Sequence, residues 1–592
     1  MTVAFAAVHV PLHAQENTGQ NLENDAEANA DAETSPEDNP EGSTADNPEG
    51  RSEGSPENGV EDKAEEGAGD ASAADDARNA TEEDADGDAG NGEIIVDYSP
   101  LPAADADEDR KAEEGGFNFE TVARMAEALA AEDYVYVDAE LIGTFGDLNY
   151  DQYRAIRFKS EYDPWKNIDG FSVDLLPPGL IFHEPVDIYL VHDGVPAKVE
   201  FSTEFFDFDP ALFPDGVDPD TLGDMGWSGF RLRAPLNRPD VMDEVAVFQG
   251  ASYFRAVARD TLYGLSARGL AIKTGSREGE EFPIFRSFWL HEPDTTDGIV
   301  VINALLDSRS VSGAFEFHIK PGAETLITTR VALFPRVDID HIGIAPLTSM
   351  FWFSPADRAG VDDYRPEVHD SDGLKIINGN GERLWRQLVN PATLQLSAFV
   401  DENPVGFGLV QRERDFTDYQ DAEARYEKRP SAWIRPQNDW GKGSVVLVEI
   451  PVENEFNDNI VTYWQPRETL RPGERYEYRY ELGFTDQPPD EGAVAKVIAT
   501  RAGRSVNDEN ARSYIIEYPL ASLEDKPFEA VVNASRGEVR HVHTQSLRKE
   551  GVFRLFFEFV PGDATFADLS ARLIAGDEQI SETWVMRWTR RR

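Results

Sequence analysis

The chain contains no cysteine, which excludes disulfide bonds, thiol nucleophiles and cysteine-ligated metals together. Cationic residues are scarce. Against 55 lysines and arginines stand 112 aspartates and glutamates, a formal net charge of −57. Without a basic stripe to neutralise phosphates, nucleic acid is disfavoured as a partner. Docking on an anionic membrane face is disfavoured for the same reason. No apolar run reaches the ~20 residues of a spanning helix, so stable membrane insertion is not expected. Walker loops, dinucleotide-binding glycine fingerprints, nucleophile elbows and short-period repeats are missing too. An uncharged ligand such as a glycan is compatible with this balance.

What is there divides unevenly along 592 residues, a length sufficient for two or three domains. Thr2 to Leu12 is a short apolar run, and Leu12-His13-Ala14 resembles a small-residue cleavage site. Residues 1–14 therefore read as part of a signal peptide lacking its cationic start, or else as a frayed apolar terminus. Residues 15–116 hold 33 acidic and 5 basic residues and almost no aromatics. Such a segment buries too little apolar surface to offset its ordering entropy, and disorder is expected. It would serve as a polyanionic spacer or simply as a solvated tail.

Order is expected from Phe117. Asn118 can cap a helix whose apolar positions Val122, Met125, Ala126 and Leu129 follow helical spacing. Beyond it the pattern has period two. Phe315, Phe317 and Ile319 alternate with Glu316, His318 and Lys320, and Tyr476, Tyr478, Tyr480 and Leu482 with Glu477, Arg479 and Glu481. Val186-Asp187-Ile188 and Phe230-Arg231-Leu232 repeat it, as expected of half-buried antiparallel strands. The expected fold class is all-β: a large N-terminal β-sandwich over 117–484, a linker over 485–493, and a smaller sandwich over 494–592. Strand patterns at Val552 to Val560 and Thr583 to Trp588 give the last part the size of an immunoglobulin-like domain.

A series of stretches resembles, in order, the periplasmic glucan biosynthesis G/D proteins. They include NYDQYRAIRFK (149–159), GASYFRA (250–256), YGLSARGLAI (263–272), GEEFP (279–283), APLTSMF (345–351), RPEVHDSDGL (365–374), GFGLVQRERDF (406–416), RYEKRPSAW (425–433), DWGKGSVVLVEIP (439–451), NDNIVTYWQP (457–466) and SETW (581–584). The resemblance runs from about residue 117 to the C-terminus and leaves out the acidic segment. It implies a periplasmic address, a groove on the large sandwich, and a part in making osmoregulated β-1,2-linked glucans. It further implies a glycoside hydrolase that cleaves β-1,2-glucan with inversion.

Glycosidic cleavage commonly needs one carboxyl that keeps its proton and another that stays charged. Asp458, flanked by Asn457 and Asn459 and leading into Tyr463 and Trp464, could be desolvated enough to stay protonated; an Asx turn is the structural alternative. By resemblance it is the general acid. Asp370, in His369-Asp370-Ser371-Asp372-Gly373, is by resemblance the base, acting on water through intervening groups; an Asp-Gly turn centred on Asp372 is the alternative. Tyr426 matches the family's active-site loop, and its hydroxyl both donates and accepts, as a proton relay requires. Pro430 and the surrounding charges suggest that this loop is exposed and closes over a bound chain, in its own subunit or from the partner subunit of a homodimer. Glu427-Lys428 departs from the family motif.

Aromatic rings can cover the apolar faces of sugars. Five of ten tryptophans fall between 352 and 464. Trp385, Trp433 and Trp464 are the chosen groove candidates, core packing being the alternative. Arg268 and Glu281 also match the family and could bind substrate or pair with each other. His369 lacks a second histidine at ligand spacing, so neither metal nor cofactor is expected. The expected function is an endo-acting β-1,2-glucan hydrolase; a non-catalytic glucan-binding scaffold and a transglycosylase remain alternatives.

Overall fold

The computed structural model describes residues 116–137, 141–217, 225–488, 494–523 and 527–590. The signal-like segment, the acidic region up to residue 115 and linker residues 489–493 lie outside the described residues. Among the described residues no helix is long and apolar enough to cross a membrane.

The chain enters through the helix Phe119–Ala130. Asn118 Oδ1 accepts from the backbone N–H groups of Glu120 (3.0 Å) and Thr121 (3.2 Å), satisfying two otherwise orphaned donors. Val122 and Ala126 turn inward onto Trp289, Leu305 and Phe334. From the sheet side Arg330 and Arg475 reach Glu120 in the first turn, where the helix dipole also favours a carboxylate.

Strands then dominate, and the alternating stretches become strands with alternating burial. Val311–Lys320 buries Phe315, Phe317 and Ile319 and leaves Lys320 exposed; Tyr476–Thr485 buries Tyr478, Tyr480 and Leu482 and exposes Arg479. Both flank or pair with Glu324–Pro335 in one antiparallel run. That run lies within a 15-stranded sheet, which faces a ten-stranded one. Between them sits the main core, where Phe230, Phe248, Phe254, Phe285, Phe288, Phe315 and Phe317 meet at ring-centroid distances of 5.0–6.1 Å. Full burial of each such ring contributes about 1.5–3 kcal/mol.

After residue 494 the strands Ala499–Arg504, Arg512–Pro519, Val552–Val560 and Glu538–Leu547 form one sheet in that spatial order. Glu529–Ala534, Phe566–Ala575 and Thr583–Thr589 form the opposite layer. Lettered A to G along the chain, this is ABED over CFG, the strand order of a constant-type immunoglobulin sandwich. Its last strand pairs in parallel with Arg383–Gln387, setting Trp584 beside Trp385. Hydrogen bonding therefore continues from the large sandwich into the small one. The core of the small sandwich also takes in Trp385, Val389 and Val410.

Candidate functional site

The strand Ile342–Ser349 is the spine of the site. It lies between Ile460–Pro466 and Ser266–Arg268 in the ten-stranded sheet, with Ser349 opposite Ile460 and Thr348 opposite Ser266. Past its end, two consecutive carbonyls each hold the neighbourhood of one candidate acid. Ser349 O accepts from Asn459 N (3.0 Å), and Met350 O accepts from Asp370 N (2.9 Å). Asn459 reinforces the arrangement. Its Oδ1 accepts from Phe351 N, and its Nδ2 donates to Phe351 O and Ile450 O, all at 2.8–2.9 Å. Ser349 Oγ donates to Ser371 Oγ at 2.8 Å. Two aspartates 88 positions apart in sequence are thus brought to one buried junction between the strands Ile342–Ser349 and Phe351–Phe353.

Their electrostatics differ. Asp458 is half-buried; loss of water raises its carboxyl above the ordinary carboxylate range, and the negative charge of Asp370 adds to the shift. Arg255, Arg268 and Arg429 oppose it without reversing it. Asp370 is fully buried, and neither carboxylate oxygen accepts a hydrogen bond. Arg429 Nε, 3.5 Å from Oδ1, supplies its counter-charge. The same guanidinium lies 5.3 Å from the centroid of the Tyr426 ring. Burial first, then the charges of Asp370 and Glu455, push the Tyr426 phenol far up. Its hydroxyl consequently keeps its proton while remaining able to pass one on. Asp458, Asp370 and Tyr426 form one electrostatic cluster.

The loop that carries Tyr426 is not exposed, contrary to the expectation drawn from its charges. Tyr426, Glu427 and Arg429 are all buried. Glu427 and Arg429 can be internal because each has a partner: Arg425 pairs with Glu427 and Arg429 with Asp370, while Arg414 donates to the Glu427 carbonyl at 3.2 Å and Lys428 stays exposed. Gln411 stitches this loop to the segment that carries Asp370, since its Nε2 donates to the carbonyls of His369 (2.8 Å) and Tyr426 (3.2 Å). Its Oε1 then accepts from His369 Nδ1 (2.8 Å), leaving Nε2 to face Glu367 at 3.2 Å. Burial alone would lower the His369 pKa, but Glu367 and Asp372 raise it. Asp372, assigned to an Asp-Gly turn in the alternative reading of this segment, is buried, and its Oδ1 accepts from Gln387 Nε2 at 2.7 Å.

The tryptophans chosen as groove residues are instead packing residues. Trp385 and Trp464 are fully buried and Trp433 nearly so. Each ring covers a glycine of a neighbouring strand. A Cβ on Gly373 would lie 2.3 Å from the Trp385 ring, on Gly406 2.6 Å from Trp433, and on Gly443 2.5 Å from Trp464. Arg412 stacks on Trp385 at 3.4 Å and Lys375 on Trp433 at 5.2 Å, so no ring face is left for a sugar. Arg268 does reach the acids, and its charge acts on Asp458. Its ion-pair partner is Glu280 at 2.7 Å, not Glu281. Glu281 faces away and accepts from Ser310 N and Oγ at 2.8 and 2.7 Å.

Sequence reasoning missed Arg429, Arg365 and Glu455, together with the exposed rings of Tyr364 and Phe456. Arg429 and Arg365 lie inside quoted stretches, and Glu455 and Phe456 immediately precede Asp458. Their proximity in sequence was the available signal.

Residues 117–588 match the family model described as periplasmic glucan biosynthesis protein, MdoG. Among curated relatives, glucans biosynthesis protein G of Vibrio cholerae serotype O1 is 44% identical over 81% of this chain and 88% of its own. The protein of the same name from Rhodopseudomonas palustris is 42% identical over 84% of this chain and 99% of its own. That of Bradyrhizobium diazoefficiens is 43% identical over 79% and 92% respectively.

Proposed function

This chain belongs to the periplasmic glucan biosynthesis protein family, and from that premise we propose that it binds and cleaves β-1,2-glucan in the periplasm by an inverting, endo-acting mechanism. Family membership carries the broader role in periplasmic glucan biosynthesis. The observation that carries the catalytic reading is the pairing of Asp458, whose carboxyl is biased toward its protonated form, with Asp370, which faces Arg429. Asp458 would give its proton to the leaving glycosidic oxygen. Asp370, buried and near enough for its charge to act on the Tyr426 phenol, would take the proton of the attacking water through the Tyr426 hydroxyl. The full burial of Asp370 supports a relay over direct contact with water. Sugar faces would rest on Tyr364 and Phe456, which are exposed on the segments that lead to Asp370 and Asp458. In this reading the large sandwich over 117–484 is the catalytic unit and residues 494–592 are an immunoglobulin-like companion.

Incubation with linear β-1,2-glucan should release shorter chains whose new reducing ends first appear as the inverted anomer. Asp458→Asn should abolish release. Equal inertness of wild type and variant would reject the hydrolase reading. The complete burial of Asp370 favours one alternative, a glucan-binding scaffold without turnover. Calorimetric binding with no change in chain length would support that alternative.

A further inference from the structure

Arg365 joins the three segments that bear the candidate catalytic groups. It is buried, and its Nη1 lies 2.8 Å from Asp421 Oδ2 and 2.7 Å from Glu455 Oε2. Its Nε and Nη2 each hold an oxygen of Asp363 at 3.0 Å. Each distal contact leads to one of the other groups. Arg365 itself stands on the segment that reaches Asp370. Asp421 organises the turn into Tyr426: its Oδ1 accepts from Glu423 N and Ala424 N at 3.0 and 2.8 Å, and its carbonyl from Arg425 N at 3.2 Å. Glu455 shortly precedes Asp458, and its charge acts on the Tyr426 phenol.

We propose that Arg365 is a positioning residue, a single guanidinium clasp that holds the loops of Asp370, Tyr426 and Asp458 in one mutual arrangement. Three carboxylates around one cation make an unfavourable cluster if stability were its only role, because buried ion pairs contribute little net stability after desolvation. What they do specify is geometry. A planar fork can address three carboxylates in fixed directions, whereas a lysine ammonium acts as a point charge on a flexible stem. The acids and the tyrosine must be held to within a fraction of an ångström, since about 1 Å of misplacement can cost about 100-fold in rate.

The catalytic part of this inference rests on the proposed hydrolase reading; the structural part does not. The test uses the full chain with Arg365→Lys, and with Glu455→Gln as a milder variant that keeps the cation. Amide hydrogen exchange is followed over 415–430 and 450–458, with the central strand Val311–Lys320 as internal reference. Arg365→Lys should speed exchange in both loops by about tenfold or more and leave the reference strand unchanged. On linear β-1,2-glucan its kcat should fall about 100-fold with KM within about threefold. Glu455→Gln should lower kcat less, and the double variant should be no worse than Arg365→Lys alone. Unchanged exchange in either loop would overturn the clasp. So would parallel losses explained by a smaller folded fraction. If wild type does not cleave glucan, the hydrolase reading fails, and the exchange measurement still decides for or against the clasp.

Discussion

The tryptophan–glycine seams and the buried carboxylate Asp370 solve burial in opposite ways. Trp464 and Asp370 are both fully inaccessible. Around Trp464 the packing is close: its ring covers Gly443 and meets Trp440 at 6.2 Å, and the one polar group left without a hydrogen bond is the neutral indole N–H. Around Asp370 little does, because two oxygens lack hydrogen bonds and the counter-charge stands at 3.5 Å. Burial of an ionised carboxylate without hydrogen bonds opposes folding. A region that folding alone does not favour is a candidate for function, whereas a region that packing fully explains is scaffold.

That contrast can be broken by paired substitutions. Asp370→Asn should reduce glucan cleavage by about 10²–10⁴-fold, the usual contribution of an acid–base group, while leaving thermal unfolding nearly unchanged. A loss of both together would place Asp370 with the scaffold. Trp464→Ala should do the reverse, destabilising the fold by about 3–5 kcal/mol, with the remaining folded protein turning over glucan at the native kcat. Denaturant unfolding combined with active-site titration separates the two effects. Gly406→Ala sharpens the same point from the other side of the seam. Its new methyl would meet the Trp433 ring at 2.6 Å, and overpacking of this kind costs about 1–3 kcal/mol. A neutral result would show that the ring moves freely.

The scaffold was legible because its code is local. Period-two alternation at Phe315 to Lys320 and Tyr476 to Leu482 needs only neighbouring residues to be read, as does the cap at Asn118. The identities of Asp458, Asp370 and Tyr426 came from resemblance, and their convergence depends on Ser349 and Met350, which nothing in the sequence marks as a junction. The tryptophans misled because a large ring near an acid in sequence reads alike for stacking on sugar or on glycine. Only the pairing of strands reveals that Gly373, Gly406 and Gly443 lie beneath them. The loop over 425–430 misled for a related reason. Charged residues normally mean solvent, and here Arg429 finds an internal partner far away in sequence, Asp370.

The smallest predicted effect tests whether the strained chemistry extends behind the catalytic loops. Glu413 faces Asp372 and Glu367, with His369, Asp418, Tyr419 and Arg414 completing its surroundings. Burial, then the charges of Asp372 and Glu367, raise its carboxyl well above its ordinary 4.5. The folded chain therefore retains a proton that the unfolded chain has already released. In that interval the native state binds more protons, and stability must fall as pH rises from the ordinary carboxylate range toward the raised folded value. Glu367 and Asp418 are shifted in the same direction and add to the slope. A glutamine at 413 donates to Asp372 much as the protonated acid does, but it has no proton to lose. Glu413→Gln should therefore match wild type at pH 4.5, melt higher at neutral pH, and show a flatter dependence of Tm on pH between them. Parallel curves for the two proteins would mean that Glu413 ionises normally and that the strain stops at Asp370.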